Sequence, residues 1–146
     1  MSAPKLEPGQ SLADCPATKE FRERHEQVAR AAEEHAAQRQ HAKGKGTARE
    51  RIDQLLDNGS FLEVGQFSGS GVGANAKPSG VVTGFGTIDG RQVAVYSQDF
   101  SVQGGSLGSV EGDKIVRLLD DALRLRIPII GLIDSGGAKI QEGVGA

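Results

Sequence analysis

Cys15 is the only cysteine in 146 residues, so no disulfide forms within the chain and no cysteine cluster is present to bind zinc. No apolar run approaches the roughly 20 residues that a membrane-crossing helix needs. The first residues carry Lys5, Glu7 and Asp14 and lack an apolar signal core, which makes the cytoplasm the expected compartment. Charge of one sign is not in excess either. Lys and Arg number 17 against 19 Asp and Glu, a net charge of −2 that gives no reason to expect a nucleic-acid partner. The three histidines, His25, His35 and His41, are spaced so that no two share a helix face in the manner of a metal-binding pair, and no metal site is expected.

Glycine is what the chain has in excess: 21 of 146 residues, roughly twice ordinary usage. Most follow Gly44, whereas the earlier stretch is rich in Ala, Glu, Gln and Arg. The length suits one compact domain rather than two. Three segments are expected: an irregular N-terminus over 1–16, a helical leader over 17–60 and an α/β body over 61–146.

In the leader, Glu20/Arg24 and Glu26/Arg30 stand four apart with the acid first, the favourable order on a helix. Phe21, Val28, Ala29, Ala32 and Ala36 form only a thin apolar face, and Gly44 supplies a stop. Thr47-Ala-Arg-Glu50 has capping-box spacing and opens a second, shorter helix with Ala48, Ile52, Leu55 and Leu56 on one face. Residues 65–79 have almost no apolar anchor and read as a mobile surface loop. Val81–Ile88 and Arg91–Gln98 read as strands joined at Asp89-Gly90, a strong hairpin signal. Val110, Ile115, Leu118, Leu119 and Ala122 recur at helical spacing, which predicts a helix over 109–126. Ile129–Ile133 reads as a buried parallel strand, broken by Asp134-Ser-Gly-Gly-Ala138, with another helix expected from Lys139.

Several motifs fail on inspection. Gly44-Lys-Gly-Thr47 places a glycine between the Lys and the hydroxyl residue and follows no strand, so it is no phosphate loop. Gly84-Phe-Gly86 lacks the third glycine of a dinucleotide fingerprint and reads as a pleat for close packing. Gly104-Gly-Ser-Leu-Gly108 fits the nucleophile-elbow pattern literally, but every histidine precedes it, the reverse of the order that fold requires. The basic corner of Arg39, Lys43, Lys45, Arg49 and Arg51 is either a solvated turn or a landing site for phosphate. The diglycine at Gly136-Gly137 is either a tight strand-to-helix turn or a bend that aims consecutive N–H groups at one point and stabilises an oxyanion.

The stretch Thr47–Phe61, Gly80–Gly90, Ser97-Gln-Asp-Phe100, Gly104–Gly108 and Asp134–Gly143, in that order, resembles the carboxyltransferase β subunits of biotin-dependent acyl-CoA carboxylases, of the propionyl-CoA and acetyl-CoA carboxylase type. The resemblance implies a crotonase-like fold, a spiral of ββα units that would here be incomplete, in a chain that is an N-terminal fragment. It implies carboxyl transfer from carboxybiotin, carried on a partner protein, to the α-carbon of an acyl-CoA. Backbone amides matching Gly136 and Gly137, with Ala138 as a neighbour, would hold the thioester enolate. Gly104, Gly105, Ser106 and Gly108 would lie near the CoA. The implied partners are a biotin carboxylase and biotin carrier subunit and further copies of the chain in a hexamer. A non-catalytic CoA-binding or assembly module and a biotin-dependent acyl-CoA decarboxylase are the alternatives. Two departures stand out: Gln103 where the family commonly has an aromatic, and Lys139 where it has Arg.

Overall fold

The structure, a computed structural model, describes residues 15–70 and 77–145. Helix α1 (Pro16–His41) leads, with Pro16 at its first position, where a missing N–H costs nothing. Helix α2 (Ala48–Leu55) opens on the expected capping box: Glu50 N donates to the Thr47 hydroxyl, and Thr47 N donates to the Glu50 carboxylate. The Thr47 hydroxyl also donates to Glu33, which ties α1 to α2.

Strands β1 (Leu62–Val64), β4 (Val81–Ile88), β5 (Arg91–Gln98) and β6 (Ile129–Leu132) form one sheet in the order β1-β4-β5-β6. The first two pairings are antiparallel and β5–β6 is parallel. Helix α3 (Ser109–Leu125) makes the crossover between β5 and β6 and ends on Arg126 in the left-handed conformation. The unit is therefore two antiparallel strands, a helix and a parallel strand. The hairpin turns at Asp89 and Gly90, both at positive φ, as a two-residue turn matching strand twist demands. Asp57 clasps that turn by accepting from Asp89 N, Gly90 N and the Thr87 hydroxyl.

Strand alternation divides the core between two faces. Val82, Val93 and Val95 pack with Ala48, Ile52 and Leu56 of α2 and the residue that caps it. Ala94 packs on Leu118 and Ala122 of α3. Glycines 84 and 86 do serve close packing: a Cβ at Gly84 would strike the Leu62 carbonyl and the Phe61 ring, and one at Gly86 would strike Leu56.

Four expectations differ. Strand β6 is parallel as expected but only half-buried, and it stops at Leu132, with Ile133 65% exposed. Within the expected loop, β2 (Gly69–Ser70) pairs with β3 (Lys77–Pro78), while residues 71–76 lie outside the described set. After the diglycine no α-helix forms among the described residues; Ile140–Gly145 is a 3₁₀ turn interrupted at Gly143. On α3, Leu119 points outward and Glu111 and Lys114 point inward. Of the irregular N-terminus expected over 1–16, residues 1–14 lie outside the described set and Pro16 already belongs to α1; the side chains of Val28, Ala29 and Ala32 also lie outside that set.

Gly84→Ala is expected to lower the unfolding free energy by about 2 kcal/mol through overpacking. Gly112→Ala, in α3 with open space around its Cβ position, is expected to raise it by up to about 1 kcal/mol. Urea midpoints measure both.

Candidate active site: two glycine loops stitched together

The first loop follows β5. The Asp99 carboxylate accepts from Ser101 N at 2.9 Å and from the Ser101 hydroxyl at 2.6 Å, which bends the chain out of the sheet. Gln103, Gly104 and Gly105 then all take positive φ. That hand suits glycine and is uncommon for Gln103. Gly105 also meets the second loop so closely that a Cβ there would collide with the Asp134 carbonyl.

The second loop leaves β6 at Asp134. Its N–H donates to Gln98 Oε1 at 3.0 Å and its carboxylate receives Lys45 Nζ at 2.9 Å. Three main-chain hydrogen bonds then join the loops: Gly136 N to Gly104 O at 2.8 Å, Leu107 N to Gly137 O at 3.0 Å, and Lys139 N to Leu107 O at 2.8 Å. Leu107 and Ala138 form an isolated parallel bridge.

All seven residues expected in the site, Gly104, Gly105, Ser106, Gly108, Gly136, Gly137 and Ala138, therefore fall in one pair of touching loops. Their amides are not equivalent. The Gly136 N–H is taken up by the Gly104 carbonyl and is no free donor. Among the described residues the Gly137 N–H has only the Ser135 hydroxyl, at 3.0 Å. In a parallel bridge the flanking residues bond the partner strand, so the N–H of Ala138 faces the other way; it has no hydrogen bond among the described residues. Gly136, Gly137 and Ala138 are exposed, and nothing lies within 4 Å of a Cβ position at Gly137, whose φ is +120°. The helix expected from Lys139 would have set its positive N-terminal end behind the loop, but among the described residues a 3₁₀ turn follows instead.

Ser106 is no nucleophile here. Its hydroxyl donates to the Gln103 carbonyl, and His41 is engaged with Glu50 at 2.9 Å. The basic corner is neither a loose solvated turn nor a free cationic patch. Arg39 donates to the Ser101 carbonyl, Arg51 to the Gln98 carbonyl, and Arg49 pairs with Glu63 at 2.7 Å. Lys43 and Lys45 sit over the Phe100 ring at 4.8 and 5.2 Å. The leader thus braces the first loop.

Two charged residues escaped the sequence reading. Glu111 is 1% exposed and accepts from Gly80 N, Gly108 N and Lys139 Nζ. Burial alone would raise its carboxyl pKa, but Lys139 and the backbone N–H groups outweigh burial and hold it below the ordinary value. Lys114 donates to the Val81 carbonyl at 2.7 Å, and burial pushes its ammonium down to about 8. The available signal was spacing: Glu111, Lys114, Leu118 and Ala122 lie on one helix face. Apolar periodicity alone passed over the two charges. Among the described residues no group of three or more His, Cys, Asp or Glu side chains gathers to hold a metal ion, and no helix is long and apolar enough to cross a membrane.

Residues 39–146 match the family described as carboxyl transferase domain. The chain belongs to that family. This carboxyl transferase domain is 54% identical over 132 residues to the propionyl-CoA carboxylase beta chain of Saccharopolyspora erythraea, covering 86% of this chain and 24% of that one. It is 49% identical over 119 residues to the methylmalonyl-CoA decarboxylase subunit alpha of Veillonella parvula, covering 77% of this chain and 23% of that one. It superposes on transcarboxylase 12S, a hexamer solved with hydrolysed methylmalonyl-coenzyme A bound, with a TM-score of 0.79 and 42% identity, over 92% of this chain and 28% of that one. The chain spans about a quarter of the length of the curated relatives it matches. The fold is crotonase-like, as expected from the motif order.

Lys114 gives the carboxyl transferase domain an alkaline signature. The folded state holds this proton less tightly than the unfolded chain, whose lysine keeps its ordinary value of 10.5, so stability rises with pH across the window from about 8 to 10.5. Between about pH 7.5 and about pH 9.5 the gain is expected to be about 2 kcal/mol, and Lys114→Met is expected to abolish it in denaturant titrations at the two pH values.

Proposed function

We propose that the chain supplies the acyl-CoA side of a carboxyltransferase acting on an acyl-CoA of the acetyl- or propionyl-CoA class, with the Gly136–Ala138 bend as its oxyanion site. The observation that carries this reading is the outward-facing Ala138 N–H beside the open, exposed Gly137, on a loop fixed from behind by three main-chain bonds. An amide already held in place requires little reorganisation when charge develops, and that is the condition for strong transition-state stabilisation. Because Gly136 N is turned onto Gly104, the donor role falls to Ala138 together with Gly137, whose hydroxyl partner is local and readily exchanged. The open space over Gly137 suits a flat thioester lying against the backbone. Gly104, Gly105, Ser106 and Gly108 would flank the CoA.

Carboxybiotin on a carrier protein supplies the carboxyl group when bound, and no residue of this chain is assigned to hold it. A biotin carboxylase and biotin carrier subunit, further copies in a hexamer and a cytoplasmic location belong to the same reading. The similarity to transcarboxylase 12S and to the propionyl-CoA carboxylase beta chain supports it. The decarboxylase relative favours a second reading, in which the same site releases the carboxyl group from a malonyl- or methylmalonyl-type thioester.

The test is a carboxyl-transfer assay on a full-length carboxyltransferase carrying these 146 residues, with acetyl-, propionyl- and longer acyl-CoAs run in both directions. Carboxylation of a short acyl-CoA is expected; decarboxylation alone would select the second reading. In that enzyme Gly137→Val is expected to cut turnover by about a hundredfold or more, with a smaller loss of CoA binding measured by calorimetry. Unchanged turnover would remove the bend from the mechanism.

A further inference from the structure

Glu111 sits where three segments of the site converge. Its Oε1 accepts from Gly80 N at 3.0 Å, at the entry to β4, and its Oε2 accepts from Gly108 N at 3.1 Å, at the end of the first glycine loop. The same Oε2 receives Lys139 Nζ at 2.6 Å. Lys139 follows Ala138 directly, and its own N–H is the last of the three main-chain bonds that join the loops. The side chains of the pair are 1% and 11% exposed. Packing around them is close: a Cβ at Gly108 would run into Glu142 and the Lys139 stem.

A carboxylate this buried touches no substrate, yet it fixes both ends of the bend's support. Three donors converge on it. Without it, two backbone N–H groups and an ammonium remain in a region of low dielectric with no acceptor, and each would move to find one. Lys139 would then turn toward solvent, and the bend would lose the side-chain anchor that stands beside the Ala138 amide.

We infer that Glu111 is a positioning residue that, through Lys139, sets the direction of the Gly137 and Ala138 amides. The inference rests on the oxyanion role given to that bend, and its effect is on geometry rather than on the chemistry of transfer. A displacement of about 1 Å at a reacting centre costs on the order of a hundredfold in rate, so a partial shift is sufficient.

The experiment uses the full-length carboxyltransferase carrying this segment, with Glu111→Gln, Lys139→Met, Lys139→Arg and the double variant Glu111→Gln/Lys139→Met. Two readouts run in parallel: steady-state kinetics, and amide hydrogen exchange of peptides spanning 134–140 against peptides from β4 and β5. Glu111→Gln and Lys139→Met are each expected to lower kcat by at least about tenfold while KM for the acyl-CoA stays within about twofold. The double variant is expected to be no worse than either single one. Exchange over 134–140 is expected to quicken by about tenfold with the sheet unchanged. Lys139→Arg, which keeps a cation within reach of the carboxylate, is expected to restore most of the rate. Folded Glu111→Gln and Lys139→Met enzymes with parental kcat and parental exchange would overturn the inference. If Glu111→Gln does not fold, the contrast between Lys139→Met and Lys139→Arg decides. If the unsubstituted protein transfers no carboxyl group, the functional reading fails, and exchange alone tests whether Glu111 holds the bend.

Discussion

Two glycine loops, one after β5 and one after β6, are held together by main-chain hydrogen bonds, and the geometry of the site depends on that junction. Gly136 N to Gly104 O, Leu107 N to Gly137 O and Lys139 N to Leu107 O act as a short parallel ladder beyond the end of the sheet. Only glycine at position 105 lets the Asp134 carbonyl come so near. With one side of the bend tied in this way, Ala138 is turned toward solvent.

The rest of the domain braces that junction. Helix α3 begins directly under it, and its buried Glu111 gathers donors from Gly80, Gly108 and Lys139. From the other side, the corner between α1 and α2 reaches in. Lys45 holds Asp134, Arg39 and Arg51 hold carbonyls at Ser101 and Gln98, and Lys43 and Lys45 cover Phe100. A buried ion pair such as Glu111–Lys139 adds little net stability, because desolvation opposes its attraction, but losing one partner is costly. It is better understood as fixing one arrangement than as strengthening the fold.

Much of the architecture was legible because its signals are local. The capping box at Thr47, the Asp89-Gly90 turn and the two hairpin strands each depend on a few neighbouring residues, and each formed as expected, whereas β6 formed as a parallel strand without the burial expected of it. The β2–β3 pairing was missed because two-residue strands carry no periodicity. The helix expected after the diglycine was misjudged because Gly143 interrupts the segment and Lys139 and Glu142 turn back to Glu111 and Ser109. The five basic residues looked like one patch, since sequence shows charge but not the carbonyls and carboxylates that will surround it.

By itself the sequence determined the α/β order, the family and the placement of seven candidate residues in two glycine loops, because glycine placement and motif order are written residue by residue. Which amide of the bend is free was decided only by tertiary structure. Gly136 and Ala138 differ because one faces the Gly104 carbonyl across a gap of 2.8 Å and the other does not. That contact joins positions 32 residues apart in the chain, and nothing local to either residue specifies it.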